Sequence, residues 1–205
     1  MKTLPILCLV TTLGLAIAPA AQQEGNPEAA KLAREGSQAA KDQDWNKAID
    51  DLRKAAEKDR KYTPNLAIAY QQRAYAYAND NRFQEAMNDL NESIKIKPDP
   101  RAFEQRAAIE MRISDNDKAL ADYAEASKLS PGEIKYHNYR AYIYESRNDL
   151  PNAMAENEAA LKINAKNKEA LDRKARLQKI QALNAVPSGT PVAAPPGAAA
   201  KSKKP

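Results

Sequence analysis

Four segments of the chain carry nearly the same pattern. They read DWNKAIDDLRKAAEKDR, RFQEAMNDLNESIKIKPD, NDKALADYAEASKLSP and DLPNAMAENEAALKINA. Aligned on one alanine in each, Ala48, Ala86, Ala119 and Ala153, they stand 38, 33 and 34 residues apart. Self-similarity at such a period marks a stack of one supersecondary unit, because a single unit cannot bury its own apolar face.

Each copy reads as two helices. Twelve residues before the reference alanine stands a small residue, Gly36, Ala74, Ala107 or Ala141, where a partner backbone must come close. Four earlier a bulkier one fills the space between helices: Leu32, Tyr70, Phe103 or His137. Five before the alanine the chain must turn at a residue tolerant of positive φ, and Gln43, Asn81, Ser114 and Asn148 stand there. The second helix brings Trp45, Phe83 and Leu150 at minus three, Leu52, Leu90 and Tyr123 at plus four, and Ala55, Ala126 and Ala160 at plus seven, one apolar stripe. Asn116 and Asn157 occupy apolar places in that scheme. Pro98 and Pro131 end their units. Thr63-Pro64, Asp99-Pro100 and Ser130-Pro131 pair a capping residue with a proline suited to the first helical position, and Ser130 to Glu133 spells a capping box. The four extra residues between units one and two fall in DRKYTP, 59 to 64, as a longer loop or an extra turn.

This pattern resembles the tetratricopeptide repeat family, a helix–turn–helix unit of 34 residues. The resemblance covers roughly residues 28 to 165, and the second copy, with Tyr70, Arg73, Ala74, Tyr77, Ala86 and Pro98 in phase, matches best. It departs from the family where a leucine usually precedes the small residue; here stand Glu35, Arg73, Arg106 and Arg140. The expected fold is all-α, a right-handed solenoid of antiparallel helix pairs. Its units are about 28–63, 64–98, 99–131 and 132–165, followed by a capping helix over 166–185. In that helix Leu171 and Ala175 repeat the bulky-then-small spacing, while Lys174 and Gln178 are polar where a following partner would pack.

The two ends are different material. Lys2 followed by an apolar run from Leu4 to Ala18, with Ala18-Pro19-Ala20 after it, reads as a secretory signal peptide over 1–20, cleaved after Ala20. The alternative is an anchor that is retained, but the run is short for a bilayer. Cys8, the sole cysteine, lies inside that run behind Leu7, which is too large for a lipoprotein cleavage site. The mature protein then has no disulfide and no cysteine metal site. Residues 186–205, rich in Pro, Ala and Gly, cannot bury enough to fold and read as disordered. Of the net charge of +5, four units come from Lys2, Lys201, Lys203 and Lys204. The body between is nearly neutral, which argues against a nucleic-acid partner.

No catalytic constellation emerges. His137 is the single histidine, at a packing position, and pairs such as Asp115 and Asp117 belong to turns and caps. No metal and no cofactor is expected. Asn91-Glu92-Ser93 is a formal glycosylation sequon inside a helix and reads as chance. What remains is surface. The resemblance implies that first helices line a concave groove with ligand contacts from a few positions. Those are Gln71, Tyr75 and Asn79 in unit two, Arg101, Glu104 and Arg112 in unit three, and Lys135, Asn138 and Tyr142 in unit four; unit one offers only Ala33 and Ser37. Some family members clamp a peptide carboxylate with Lys, Asn and Arg at fixed places, and that pattern fails here in either register. The expectation is a non-catalytic, exported adaptor or scaffold in the periplasm or outside the cell. It would bind a protein or extended peptide, without stable membrane insertion after cleavage. The alternatives are a catalytic or ligand-handling accessory using the groove, and a membrane-tethered scaffold with an uncleaved leader.

Overall fold

The computed structural model describes residues 26–185. The expected signal peptide and tail lie outside them. Within them the chain runs α1 (Pro27–Lys41), α2 (Trp45–Lys58), a 3-10 turn (Arg60–Tyr62), α3 (Thr63–Asn79), α4 (Phe83–Ile96), α5 (Pro100–Arg112), α6 (Asn116–Leu129), α7 (Ile134–Ser146), α8 (Leu150–Ile163) and α9 (Lys168–Ala185). No strand occurs among the described residues. Helices pair as α1·α2, α3·α4, α5·α6 and α7·α8, and each pair stacks on the next. The extra residues between the first two pairs form the 3-10 turn.

The turns show how sequence becomes register. Gln43, Asn81, Ser114 and Asn148 adopt φ of 61°, 59°, 63° and 57°. The residue after each donates its N–H to the carbonyl five residues back: Asp44 to Ala39 at 2.9 Å, Arg82 to Tyr77 at 2.8 Å, Asp115 to Glu110 at 2.8 Å and Asp149 to Tyr144 at 2.9 Å. This closes the C-terminus of the first helix while fixing the start of the second. In three of the four turns an aspartate, Asp44, Asp115 or Asp149, then accepts from the N–H three residues on.

The reference alanines are fully buried, as are Ala107 and Ala141. Gly36 has the closest approach. A Cβ there would stand 2.8 Å from Leu52 Cγ and 3.0 Å from the Ala48 carbonyl oxygen. Gly36→Ala should therefore destabilise unit one by about 1 kcal/mol, even though alanine gains up to ~1 kcal/mol of helix propensity. Urea unfolding of the two proteins measures the sign, and a stabilised variant would mean α1 and α2 separate easily.

At plus four, Leu52, Leu90 and Tyr123 are buried, and so is Asn157, whose Oδ1 finds no partner. An unsatisfied buried acceptor costs about 1–3 kcal/mol. Asn157→Leu, which installs the residue of units one and two, should raise stability by ~1–2 kcal/mol in the same assay; a loss would show that the site cannot take the larger chain.

Three expectations need correction. Thr63 does not cap α3 but is its first residue, behind Tyr62, and no side chain caps that helix. Ser130 and Glu133 form no capping box: Ser130 closes α6, Pro131-Gly132 makes a turn in which Glu133 N–H donates to the Ser130 carbonyl at 3.1 Å, and α7 starts only at Ile134. A Pro-Gly pair is a turn former first. In α9, Leu171 and Ala175 are exposed, and Ala170, Arg173 and Leu177 are buried instead. These three match Tyr136, the stacked Tyr139 and Ile143 one period earlier, the face that packs on the preceding unit. Leu171 and Ala175 point where the second helix of a fifth unit would lie. Among the described residues α9 is thus an unpaired first helix, fixed by Arg173 donating to Asn138 Oδ1 at 3.0 Å and Arg176 to Glu145 at 2.6 and 2.9 Å.

The arginines that replace the family's leucine make the strongest polar contacts. Arg73 forks onto Asp89 with two bonds of 2.7 Å and reaches Asn46 at 2.8 Å. Arg106 does the same to Asp122, at 2.6 and 2.7 Å, and to Asn91 at 2.6 Å. Arg140 meets Glu156 at 2.7 Å. Each joins the two helices of one unit. Unit one has Glu35 at the arginine position, and Lys47 serves Asp51 instead at 2.6 Å.

Candidate peptide-binding groove

The first helices present a stripe at offsets of four, three and four. On α3 it is Ile68, Gln72, Tyr75 and Asn79; on α5 Arg101, Gln105, Ala108 and Arg112; on α7 Lys135, Tyr139, Tyr142 and Ser146. The three rows are one repeat apart and occupy the same turn of each helix. Large apolar groups stand exposed on it: Ile68 is 52 %, Tyr75 60 %, Tyr139 39 % and Tyr142 55 % accessible. Two adjoining depressions share Tyr75, Asn79 and Gln105. The larger, about 540 Å³, is walled by Gln71, Gln72 and Arg101 and reaches Trp45. The smaller, about 290 Å³, has a floor of Ala74, Ala78, Leu90, Ala108 and Ile109.

Of the residues the sequence pointed to, Tyr75, Asn79, Arg101, Arg112 and Tyr142 are exposed on this stripe. Gln71 leans to one side and donates to the buried Ser93 hydroxyl at 3.0 Å. Asn91 of the Asn91-Glu92-Ser93 sequon is exposed and accepts from Arg106 at 2.6 Å. Glu104 pairs with Lys135 at 2.7 Å, which holds the Lys135 ammonium above its ordinary pKa, and also accepts from Tyr136 at 3.4 Å. Arg112 donates to the Ala78 carbonyl at 3.2 Å and Asn81 Oδ1 at 2.9 Å, over the Phe83 ring.

Asn138 departs from expectation. It is 8 % exposed, donates to Glu169 at 3.0 Å and accepts from Arg173, so α9 covers it. Its neighbour Tyr139 stacks one ring face on Tyr123 of α6 and leaves 39 % of its surface exposed at the edge of the stripe. Ile68, Gln72, Gln105, Ala108 and Tyr139 were not expected; projecting Tyr75, Arg101 and Tyr142 by three, four and seven would have found them. Ala33 is buried, and Ser37 turns its hydroxyl onto the Ala33 carbonyl at 2.7 Å. His137 is mostly buried, with Nδ1 2.9 Å from Glu156, in line with its packing position.

The crystal structure of MamA protein superposes with a TM-score of 0.56 at 15% identity, covering 76% of this chain and 84% of that one. A tetratricopeptide repeat protein from Parabacteroides merdae gives 0.55 at 18%, over 77% and 62%. The first TPR of Spaghetti (RPAP3), bound to HSP90 peptide SRMEEVD, gives 0.50 at 20%, over 57% and 93%. The fold is the tetratricopeptide solenoid. No family model matches the chain. In sequence the array is 25% identical over 121 residues to Hsp70-Hsp90 organizing protein 2 of Arabidopsis thaliana, which is 58% of this chain and 21% of the relative. To heat shock protein STI1 of Saccharomyces cerevisiae it is 32% identical over 97 residues, 47% and 16%. The chain spans about a fifth of the length of the curated relatives it matches.

Proposed function

We propose that this array is a non-catalytic binding module, exported as an adaptor or scaffold, that holds an extended segment of a partner protein along the first-helix stripe. The observation that carries the reading is the exposed pair Tyr75 and Tyr142, at corresponding positions of α3 and α7, with exposed Ile68 two turns from Tyr75 on α3. Stiff aromatic surface beside amides and guanidinium groups suits a polypeptide partner. A structural neighbour that holds a peptide, the first TPR of Spaghetti, supports the same class of ligand. Export rests on the apolar run Leu4 to Ala18 ahead of Ala18-Pro19-Ala20. No helix of the described residues is long and apolar enough to cross a membrane.

Tyr75→Ala and Tyr142→Ala should each weaken capture of the natural partner from envelope extract by roughly 10–100-fold, the range of a hot-spot aromatic. Their melting temperatures should stay near that of the parent, since both side chains are more than half exposed. Unchanged capture by both variants would move the binding surface off this face. N-terminal sequencing of the exported protein should begin at Ala21.

A further inference from the structure

The groove has a division of labour along α3 and α5. The smaller depression is apolar at its floor, where Ala74, Ala78 and Ala108 leave open what larger side chains would fill, and Leu90 and Ile109 close the bottom. It has room for one leucine, methionine or phenylalanine side chain. The wall it shares with the larger depression is made of Tyr75, Asn79 and Gln105.

Charge selects what flanks the apolar side chain. Lys135 is engaged by Glu104, and Arg112 by Ala78, Asn81 and the Phe83 ring. Arg101 alone among the groove cations makes no ion pair or side-chain hydrogen bond among the described residues, and it lines the larger depression. Capture of a chain terminus needs several convergent donors free to meet both carboxylate oxygens. The larger depression is lined by the amides of Gln71, Gln72, Asn79 and Gln105 and by Asp99, whose carboxylate is turned onto the Arg101 backbone N–H at 2.9 Å, so the guanidinium is left for a single acidic side chain.

Building on the groove reading above, we propose that the site takes an internal, extended segment of a partner protein. An apolar side chain seats over Ala74, Ala78 and Ala108, an acidic side chain lies against Arg101, and no free C-terminus is required. Tyr75 lies between the two and covers the main chain.

The test is a positional library of nonapeptides acetylated at the N-terminus and amidated at the C-terminus, screened against the full chain. The expected result is enrichment of Leu, Met or Phe at one position and Asp or Glu at a neighbouring one. Ala108→Leu, at an exposed position, should fill the depression and weaken the enriched peptides by at least about tenfold. Arg101→Glu should switch the neighbouring preference from acidic to basic, a readout that loss of folded protein cannot produce. Two results would overturn the proposal: binding only when the amide is replaced by a free carboxylate, or an acidic preference unchanged in Arg101→Glu. If Tyr75→Ala loses the natural partner while no blocked peptide is enriched, the groove reading survives and this assignment falls. If Tyr75→Ala and Tyr142→Ala keep the partner and no peptide is enriched, both fall.

Discussion

Arg106→Ala should lower the stability of the array by about 3 kcal/mol, the largest loss expected from a residue with no role in the groove. Arg106 holds Asp122 by two bonds of 2.6 and 2.7 Å, and the Asp122 side chain is only 7 % exposed. Removing one partner of such a pair leaves a carboxylate that water cannot properly reach, and costs of about 3–5 kcal/mol are typical. Arg106 is itself about a fifth exposed, so the low end applies. The double replacement Arg106→Met with Asp122→Leu should recover most of the loss, since an apolar pair of similar volume needs no counter-charge. Urea unfolding of the parent, the single variant and the double variant decides. If the single variant loses less than about 1 kcal/mol, the fork is a surface contact without structural weight.

The same pair shows what could and could not be read from the sequence. Helix pairing, the turn residues with positive φ and the buried alanines follow from aligning four copies, because each is a local requirement met at one position. Gln43 and Ser114 were less obvious turn residues than Asn81 and Asn148, yet all four share the conformation. The arginines looked like departures when read one position at a time. Their meaning lies in a second column sixteen residues on, Asp89, Asp122 and Glu156, and a helix pair brings the two columns together. Comparing charged columns between copies would have exposed the match, and the missing arginine in unit one, where Glu35 stands, is covered by Lys47.

The groove was legible only in part, for a physical reason. Tyr75 and Tyr142 stand out by size, and one tyrosine defines the face of its helix to within a residue. Asn138 and Tyr139 are adjacent, 100° apart around α7, and only the position of α9 decides which is covered. α9 in turn was read from its bulky-then-small spacing, which identifies the helix as a first helix. Lys174 and Gln178, polar where a following partner would pack, marked it as a capping helix. Leu171 and Ala175 are exposed because no second helix packs on α9 among the described residues, not because the phase is different.

Glu110 should make the stability of unit three depend on pH. It occupies the place of Tyr77 and Tyr144 in the neighbouring units, is 2 % exposed, and its Oε2 has no hydrogen-bond partner. Burial, with Asp122 nearby, pushes its carboxyl up to about 7, while Arg106 and Lys118 act weakly in the other direction. An unfolded chain would release that proton near 4.5. Between these values the folded state holds a proton that the unfolded state has lost. The stability associated with Glu110 is therefore full below about pH 4.5, falls as pH rises to about 7, and stays low above it. The difference between the two plateaus is on the order of 1–3 kcal/mol. Glu110→Gln cannot ionise, so it should unfold with more difficulty than the parent at pH 8, by a melting-temperature gain of roughly 2–4 °C per kcal/mol. At pH 4.5 the two should nearly coincide, because the parent then carries a neutral carboxyl of the same shape. The measurement is a pair of thermal melts at each pH. A gain of equal size at both would trace the effect to packing of the amide, and no gain at pH 8 would show that the Glu110 carboxylate finds water or a cation when it ionises.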